Sequence, residues 1–265
     1  FMQLWLPLFT IFAYVAAAAG FVRVYRKPLR RINPLWVLGI LVCACQGHAL
    51  SLIVSLQANG HLNLSIFNMV SVNAWFVACI SVFWLWRASM ALGGVVICLV
   101  SAVAVALPLV FVSDKPFAPH LSPGMWWHIL TSIAAWTFIS LAFLHAALYG
   151  WLFRRLKRKQ LKDISVSSLV SLERVMMLQA VTGFILLAIA LLTGWMFVDD
   201  LFAQHLVHKT VLTLLAWLAL GWMLFSYYIR EQRGLTLVLE MCAAFILLLT
   251  GYVLSNVILQ FILNH

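Results

Sequence analysis

Charge is scarce in this chain. Only 9% of its 265 residues are Asp, Glu, Lys or Arg, against about a quarter in an average soluble domain. With 65% of the residues hydrophobic, a water-soluble fold of this size would lack the polar surface to cover itself. Acids are scarcer still: Asp114, Asp163, Glu173, Asp199, Asp200, Glu231 and Glu240 all lie in connecting segments or near the end of an apolar run. A proton- or cation-driven transporter normally needs a carboxylate in mid-membrane, so that class is disfavoured. There is no carboxylate pair, nucleophile–base pair or phosphate loop, so an enzyme is not expected. A C-x-x-C motif is also missing, and Cys43, Cys45, Cys79, Cys98 and Cys242 all sit inside apolar runs. That argues against a zinc site or a thiol redox motif and reads as small buried hydrophobes. No clear internal repeat of the inverted-repeat transporter kind is visible.

What is present is a series of long apolar runs. Eight can be marked, at about 2–22, 35–57, 66–86, 91–113, 125–153, 176–198, 207–228 and 235–260, each long enough at about 1.5 Å per residue to cross about 30 Å of hydrocarbon. They do not alternate polar with apolar, so helices are expected and a barrel is not. The expected fold is therefore an all-α polytopic membrane bundle of about eight transmembrane helices, a single integral membrane domain over 1–265. The first run has no leading basic segment, so it reads as a retained span.

The net charge of +10 would suggest nucleic acid in a soluble protein, but its placement points to the bilayer. Fifteen of the seventeen basic residues fall after spans 1, 3, 5 and 7, leaving Lys115 and Lys209 on the other side. The positive-inside rule then makes the basic loops cytoplasmic and puts both termini on the outer side. No nucleic-acid partner is expected. The polar stretch from Arg154 to about Arg174 reads either as a short interfacial helix, with Leu169, Leu172 and Met176 at helical spacing, or as a solvated linker.

Intramembrane polar residues are costly and so are functional candidates. His48 lies inside span 2, His128 opens span 5, and His208 opens span 7 beside Lys209. His145 is seventeen residues along from His128, about 25 Å away on one helix, so those two cannot share a small site. Neutral imidazole is the commonest metal and haem-iron ligand, and two facing helices can each present one. By depth, His48 and His128 are the natural pair; the competing reading of each is a hydrogen-bonded helix–helix contact. Asn68, Ser71, Asn73 and Gln46 can line a polar cleft or serve as the same glue. Trp75, Trp136, Trp195, Trp217 and Trp222 fall away from the predicted interfaces and can pack against a flat macrocycle or, as the safer reading, in the core.

From His128 onward an ordered set of features carries a family resemblance. It comprises the basic segment Arg154 to Lys162, Ser171-Leu172-Glu173-Arg174, Gly183-Phe184, Leu192-Thr193-Gly194-Trp195, Lys209, Ala216-Trp217, Arg233-Gly234 and Gly251-Tyr252. In this the chain resembles the cytochrome c assembly family, the CcsA/CcmC/HemX group, and most of all its short YpjD/HemX-like branch. The resemblance implies a multi-pass protein of the bacterial cytoplasmic (inner) membrane with its termini in the periplasm. It implies haem binding or handling, haem b as cofactor, His48 and His128 as candidate axial ligands, His208 as an alternative outer ligand, and Lys209 near the propionates. Implied partners are haem and cytochrome c maturation or other membrane proteins, besides the lipid. The Trp-rich outer loop of the haem-presenting branch is reduced here to Val198–Gln204, and His208 stands about where the family often has Asp, so presentation of haem to an apocytochrome is not carried over. The alternatives are a non-catalytic membrane accessory protein with structural histidines and, less favoured, a small-molecule transporter.

Overall fold

The protein is described by a computed structural model over residues 2–26, 35–57, 63, 65–85, 91–111, 122–158, 166–197 and 207–261. Among these residues there are eight helices, all long and apolar enough to cross a membrane. In order they are α1 (Met2–Arg26), α2 (Leu35–Leu56), α3 (Ile66–Leu85), α4 (Ala91–Val110), α5 (Pro123–Lys157), α6 (Val166–Phe197), α7 (Val207–Tyr228) and α8 (Leu235–Phe261). Large apolar side chains stand exposed on them, Phe83 at 80% and Trp195 at 73%. A bilayer is the solvent in which that surface is at rest. The chain is thus an all-α, multi-pass membrane protein.

The helices fall into two compact units, 1–119 and 120–265. In the first, each helix packs on the next and α4 closes back on α1. Its interior is filled by Tyr14, Ala17, Phe21, Val37, Leu41, Ala44, Ala78 and Cys98, all with no exposed surface. The second repeats this closed order, α5 on α6, α6 on α7, α7 on α8 and α8 on α5, with α5 and α6 the most extensively paired. Ala135, Ala142 and Ala146 on α5 and Ala180 on α6 are fully buried in its core; such small side chains let neighbouring backbones approach, the usual device where lipid supplies no hydrophobic drive between helices.

Local sequence explains several ends. Ser122 caps α5 by accepting from the Met125 N–H, Pro123 takes the first helical position, and Arg154, Arg155 and Lys157 stand in the last turn, where cations complement the helix dipole. Between α7 and α8 the chain reverses through Glu231 at φ 51° and Gly234 at φ 84°. Arg233 fastens this turn: its guanidinium donates to the carbonyls of Tyr227 and Gln232, both at 2.8 Å, and pairs with Glu173 at 3.2 Å. The Tyr149 hydroxyl donates to the other Glu173 oxygen at 2.9 Å. The end of α5, the start of α6 and the α7–α8 turn are thereby joined at one end of the unit.

One expectation is corrected. Val166–Arg174 is not a separate interfacial helix but the first turns of α6, which begins about ten residues before the predicted span. Leu169, Leu172 and Met176 are buried with Val175; their spacing marks the core face of the span itself.

Candidate functional site

The predicted site residues separate by unit. His48 belongs to the first and is wholly buried. Its Nδ1 lies 3.0 Å from the Tyr14 hydroxyl and its Nε2 2.9 Å from the Ser71 hydroxyl. A neutral imidazole has one donor and one acceptor nitrogen, and here both are engaged, tying α1, α2 and α3 together. Iron could reach Nε2 only by displacing Ser71. Of the other polar residues of α3, Asn68 donates to the Asn63 carbonyl at 3.0 Å. Ser71 and Asn68 therefore act as glue, while Gln46 of α2 is exposed.

His145 is also buried, at 2% exposure. Its Nδ1 lies 2.9 Å from the Leu141 carbonyl and 2.8 Å from Gln179 Oε1, so it is a donor to both, and the Gln179 amide nitrogen is left buried without a partner among the described residues. This is a helix–helix contact between α5 and α6 in the core of the unit.

His128 differs from both. It is half-buried on the first turns of α5. Its Nδ1 sits 2.9 Å from the Ala190 carbonyl and 3.4 Å from Thr193 Oγ1. The Thr193 hydroxyl donates its own proton to the carbonyls of Ile189 and Ala190, at 2.8 and 3.1 Å. Both groups facing Nδ1 are therefore acceptors, and the bonding assigns the proton to Nδ1. Nε2 keeps its lone pair, and among the described residues nothing bonds to it. The ring lies over Gly194, where a Cβ would come within 3.0 Å of Cε1 and 3.3 Å of Nδ1. One turn of α6 thus supplies a carbonyl, a hydroxyl and a bare backbone, and together they seat the imidazole. Sequence reasoning took Thr193-Gly194 only as part of a family mark; its role in seating His128 is visible only with α5 in place.

His208 and Lys209 are both exposed on the first turn of α7. His61, His120, His205 and His265 lie outside the described residues. A second feature of this unit is a groove of about 390 Å³ along α6 and α7, lined by Phe184, Trp217, Leu218, Gly221, Trp222 and Phe225. Phe184 and Trp217 stack there at 5.0 Å with planes 6° apart. Trp195 and Trp222, at 73% and 52% exposure, are surface residues and not core. Trp136 packs edge-on against Phe245 and Tyr252, and Trp75 donates to the Cys45 carbonyl at 2.9 Å.

A family model described as "Cytochrome C assembly protein" matches residues 36–263. The chain is 26% identical over 266 residues to the protein named "Inner membrane protein YpjD" of Escherichia coli strain K12, covering 97% of this chain and 100% of that one. The same identity and coverage are found with the proteins of that name from strain CFT073 and from E. coli O157:H7. No solved structure matches.

Proposed function

The chain belongs to the cytochrome c assembly family, and we propose that within this inner-membrane setting it binds and handles haem, with His128 as an axial ligand through Nε2. The observation that carries the reading is the division of labour on that ring. Nδ1–H is committed to the Ala190 carbonyl and Thr193 hydroxyl, and Nε2 has no partner among the described residues. Such a second hydrogen bond fixes the tautomer and the ring plane of a ligating histidine and raises its basicity. The residues present thus fit a haem iron at Nε2.

Bound there, haem would supply an iron centre held by imidazole, a chemistry suited to storage, relay or electron transfer. The chain's own residues hold and orient. Ala190 and Thr193 aim the imidazole, Gly194 leaves room beside it, and Lys209 offers a flexible ammonium to the propionate carboxylates. His208, exposed at the start of α7, is the second residue that would hold the group. His48, engaged on both nitrogens by Tyr14 and Ser71, is not assigned to this site. By the positive-inside rule His128 stands on the periplasmic side, with both termini.

The protein purified from haem-replete cells should show a Soret band that His128→Ala abolishes or shifts, while His145→Ala leaves its position unchanged. A colourless parent, or a band indifferent to His128→Ala, would overturn the reading. The full engagement of His48 favours one alternative, a non-catalytic accessory protein with structural histidines. On that account the protein stays colourless and co-purifies with its partners with or without His128.

A further inference from the structure

The groove of the second unit is a feature that haem binding at His128 does not use. It lies along α6 and α7, the most loosely paired neighbours in that unit's closed order, and holds about 390 Å³. Phe184, Trp217 and Gly221 are half-buried in it, while Leu218, Trp222 and Phe225 stand exposed along it. Gly221 keeps it open, since a Cβ there would come within 3.2 Å of the Phe184 ring. Phe184 precedes Gly194 by ten residues, about 15 Å along α6, and the lining continues from there toward the end of α7, away from the His128 seat. A cation stands at that end. Ile229 and Arg230 both donate their backbone N–H to the Phe225 carbonyl, at 2.9 and 3.4 Å, which ties the chain leaving α7 to a lining residue. The Arg230 guanidinium lies 5.6 Å from the centre of the Trp222 ring, within cation–π range.

Arg230 and Arg233 close the same turn but are used differently. Arg233 is committed to Glu173 and to the carbonyls of Tyr227 and Gln232. Arg230 is exposed, and among the described residues no carboxylate pairs with it. We propose that the groove binds one anionic phospholipid of the cytoplasmic leaflet, with an acyl chain against the Phe184–Trp217 stack and the phosphate on Arg230. Two properties select this occupant. The lining is aromatic and aliphatic, so it takes hydrocarbon. A guanidinium presents a planar fork of donors that matches a phosphate, and the positive-inside rule sets this end of α7 at the level of the cytoplasmic headgroups. A zwitterionic lipid fills the groove equally well but carries its own cation to the arginine, so the preference for negative lipid comes from Arg230. The site stands whether or not the protein binds haem.

The full-length chain, delipidated in mild detergent, is given equal amounts of phosphatidylglycerol and phosphatidylcholine with identical acyl chains, and the lipids it retains are weighed by native mass spectrometry. One phosphatidylglycerol per chain should be held in clear preference to phosphatidylcholine. Arg230→Gln should cut that preference by about fivefold, the usual effect of one arginine at an anionic lipid surface. Arg26→Gln removes the same charge from the last turn of α1, in the other unit, and should leave the preference as it was. Gly221→Leu fills the groove and should lower the retention of both lipids; Leu218→Trp, at an exposed lining position, does the same if the glycine variant fails to fold. The proposal is overturned if the two lipids are retained equally, if Arg230→Gln and Arg26→Gln have the same effect, or if neither filling variant lowers retention. A second protein chain bound in place of lipid and lost in Leu218→Trp would overturn it as well.

Discussion

Adding one methyl group at residue 194 separates stability from ligand binding. In Gly194→Ala the new Cβ falls 3.0 Å from His128 Cε1 and 3.3 Å from Nδ1, where ordinary contact begins at 3.4 Å. The imidazole must retreat from α6 by about 0.4 Å, because a packed interior has few voids to absorb the methyl. The Ala190 carbonyl is on α6 too, so the 2.9 Å bond from Nδ1 stretches to about 3.3 Å, past the usual range for N–H···O. A bond of this kind contributes about 1 kcal/mol net, and losing it from the ligand's support should weaken haem retention roughly fivefold. The fold should not suffer, since alanine inside a helix is favoured over glycine by up to about 1 kcal/mol. Gly39→Ala is the control, because nothing lies within 4 Å of its Cβ; it should leave haem retention unchanged while gaining the same helix-propensity increment of up to about 1 kcal/mol. Haem loss to excess apomyoglobin, followed at the Soret band, reports retention, and thermal unfolding in the same detergent reports stability. Unaltered retention in both Gly194→Ala and the bulkier Gly194→Val would refute the seat. So would a fall in retention that simply tracks a fall in stability.

Three further substitutions test the framework. His48→Ala removes a wholly buried ring and strands Tyr14 and Ser71, so unfolding should become easier by about 2–4 kcal/mol; a variant with the parent's melting temperature would show that the three-helix tie is unimportant. Tyr149→Phe deletes a 2.9 Å bond to the largely buried Glu173 carboxylate, and hydrogen bonds to charged groups contribute about 1.5–3 kcal/mol, a loss measurable by denaturant or thermal unfolding. Gly234→Ala forces a side chain into φ 84° with its Cβ 3.2 Å from the Phe153 ring; a cost of about 1–2 kcal/mol is expected, and a neutral result would mean the turn can change its conformation.

Much of the architecture is legible because a bilayer reads one variable, the length of an apolar run. All eight helices lie where hydropathy puts them, and the misjudged start of α6 arose because Leu169 and Leu172 stand beside Glu173 and Arg174. Residues that the core and the polar end both claim look interfacial until Glu173 is seen bonded to Arg233 and Tyr149. The site was less legible. Depth along a span suggested pairing His48 with His128, but depth is one coordinate of three; it is silent on which way a ring faces and on which neighbour takes its nitrogens. The Leu192-Thr193-Gly194-Trp195 block was recognisable as a family mark before it had a physical meaning. That meaning depends on α5 crossing α6 at this turn, a long-range contact that no local pattern encodes.

The buried and half-buried histidines can be ranked by two requirements of an iron ligand, a free lone pair and a path to it. His48 fails the first, with Tyr14 on one nitrogen and Ser71 on the other. His145 shares the Nδ1-donating arrangement of His128 but fails the second, at 2% exposure in a core of Met and Ala, where a macrocycle would have to part α5 from α6. His208 has access, at the exposed start of α7, but among the described residues nothing fixes its ring as α6 fixes that of His128. His128 meets both requirements and adds a third: its support comes from the most extensively paired helices of the unit. A ligand on such a rigid pair keeps its aim when haem leaves, which costs less ordering on rebinding. Under the proposed reading, a firmly seated His128 beside a less constrained second position would let haem dissociate stepwise, the looser ligand first and His128 last.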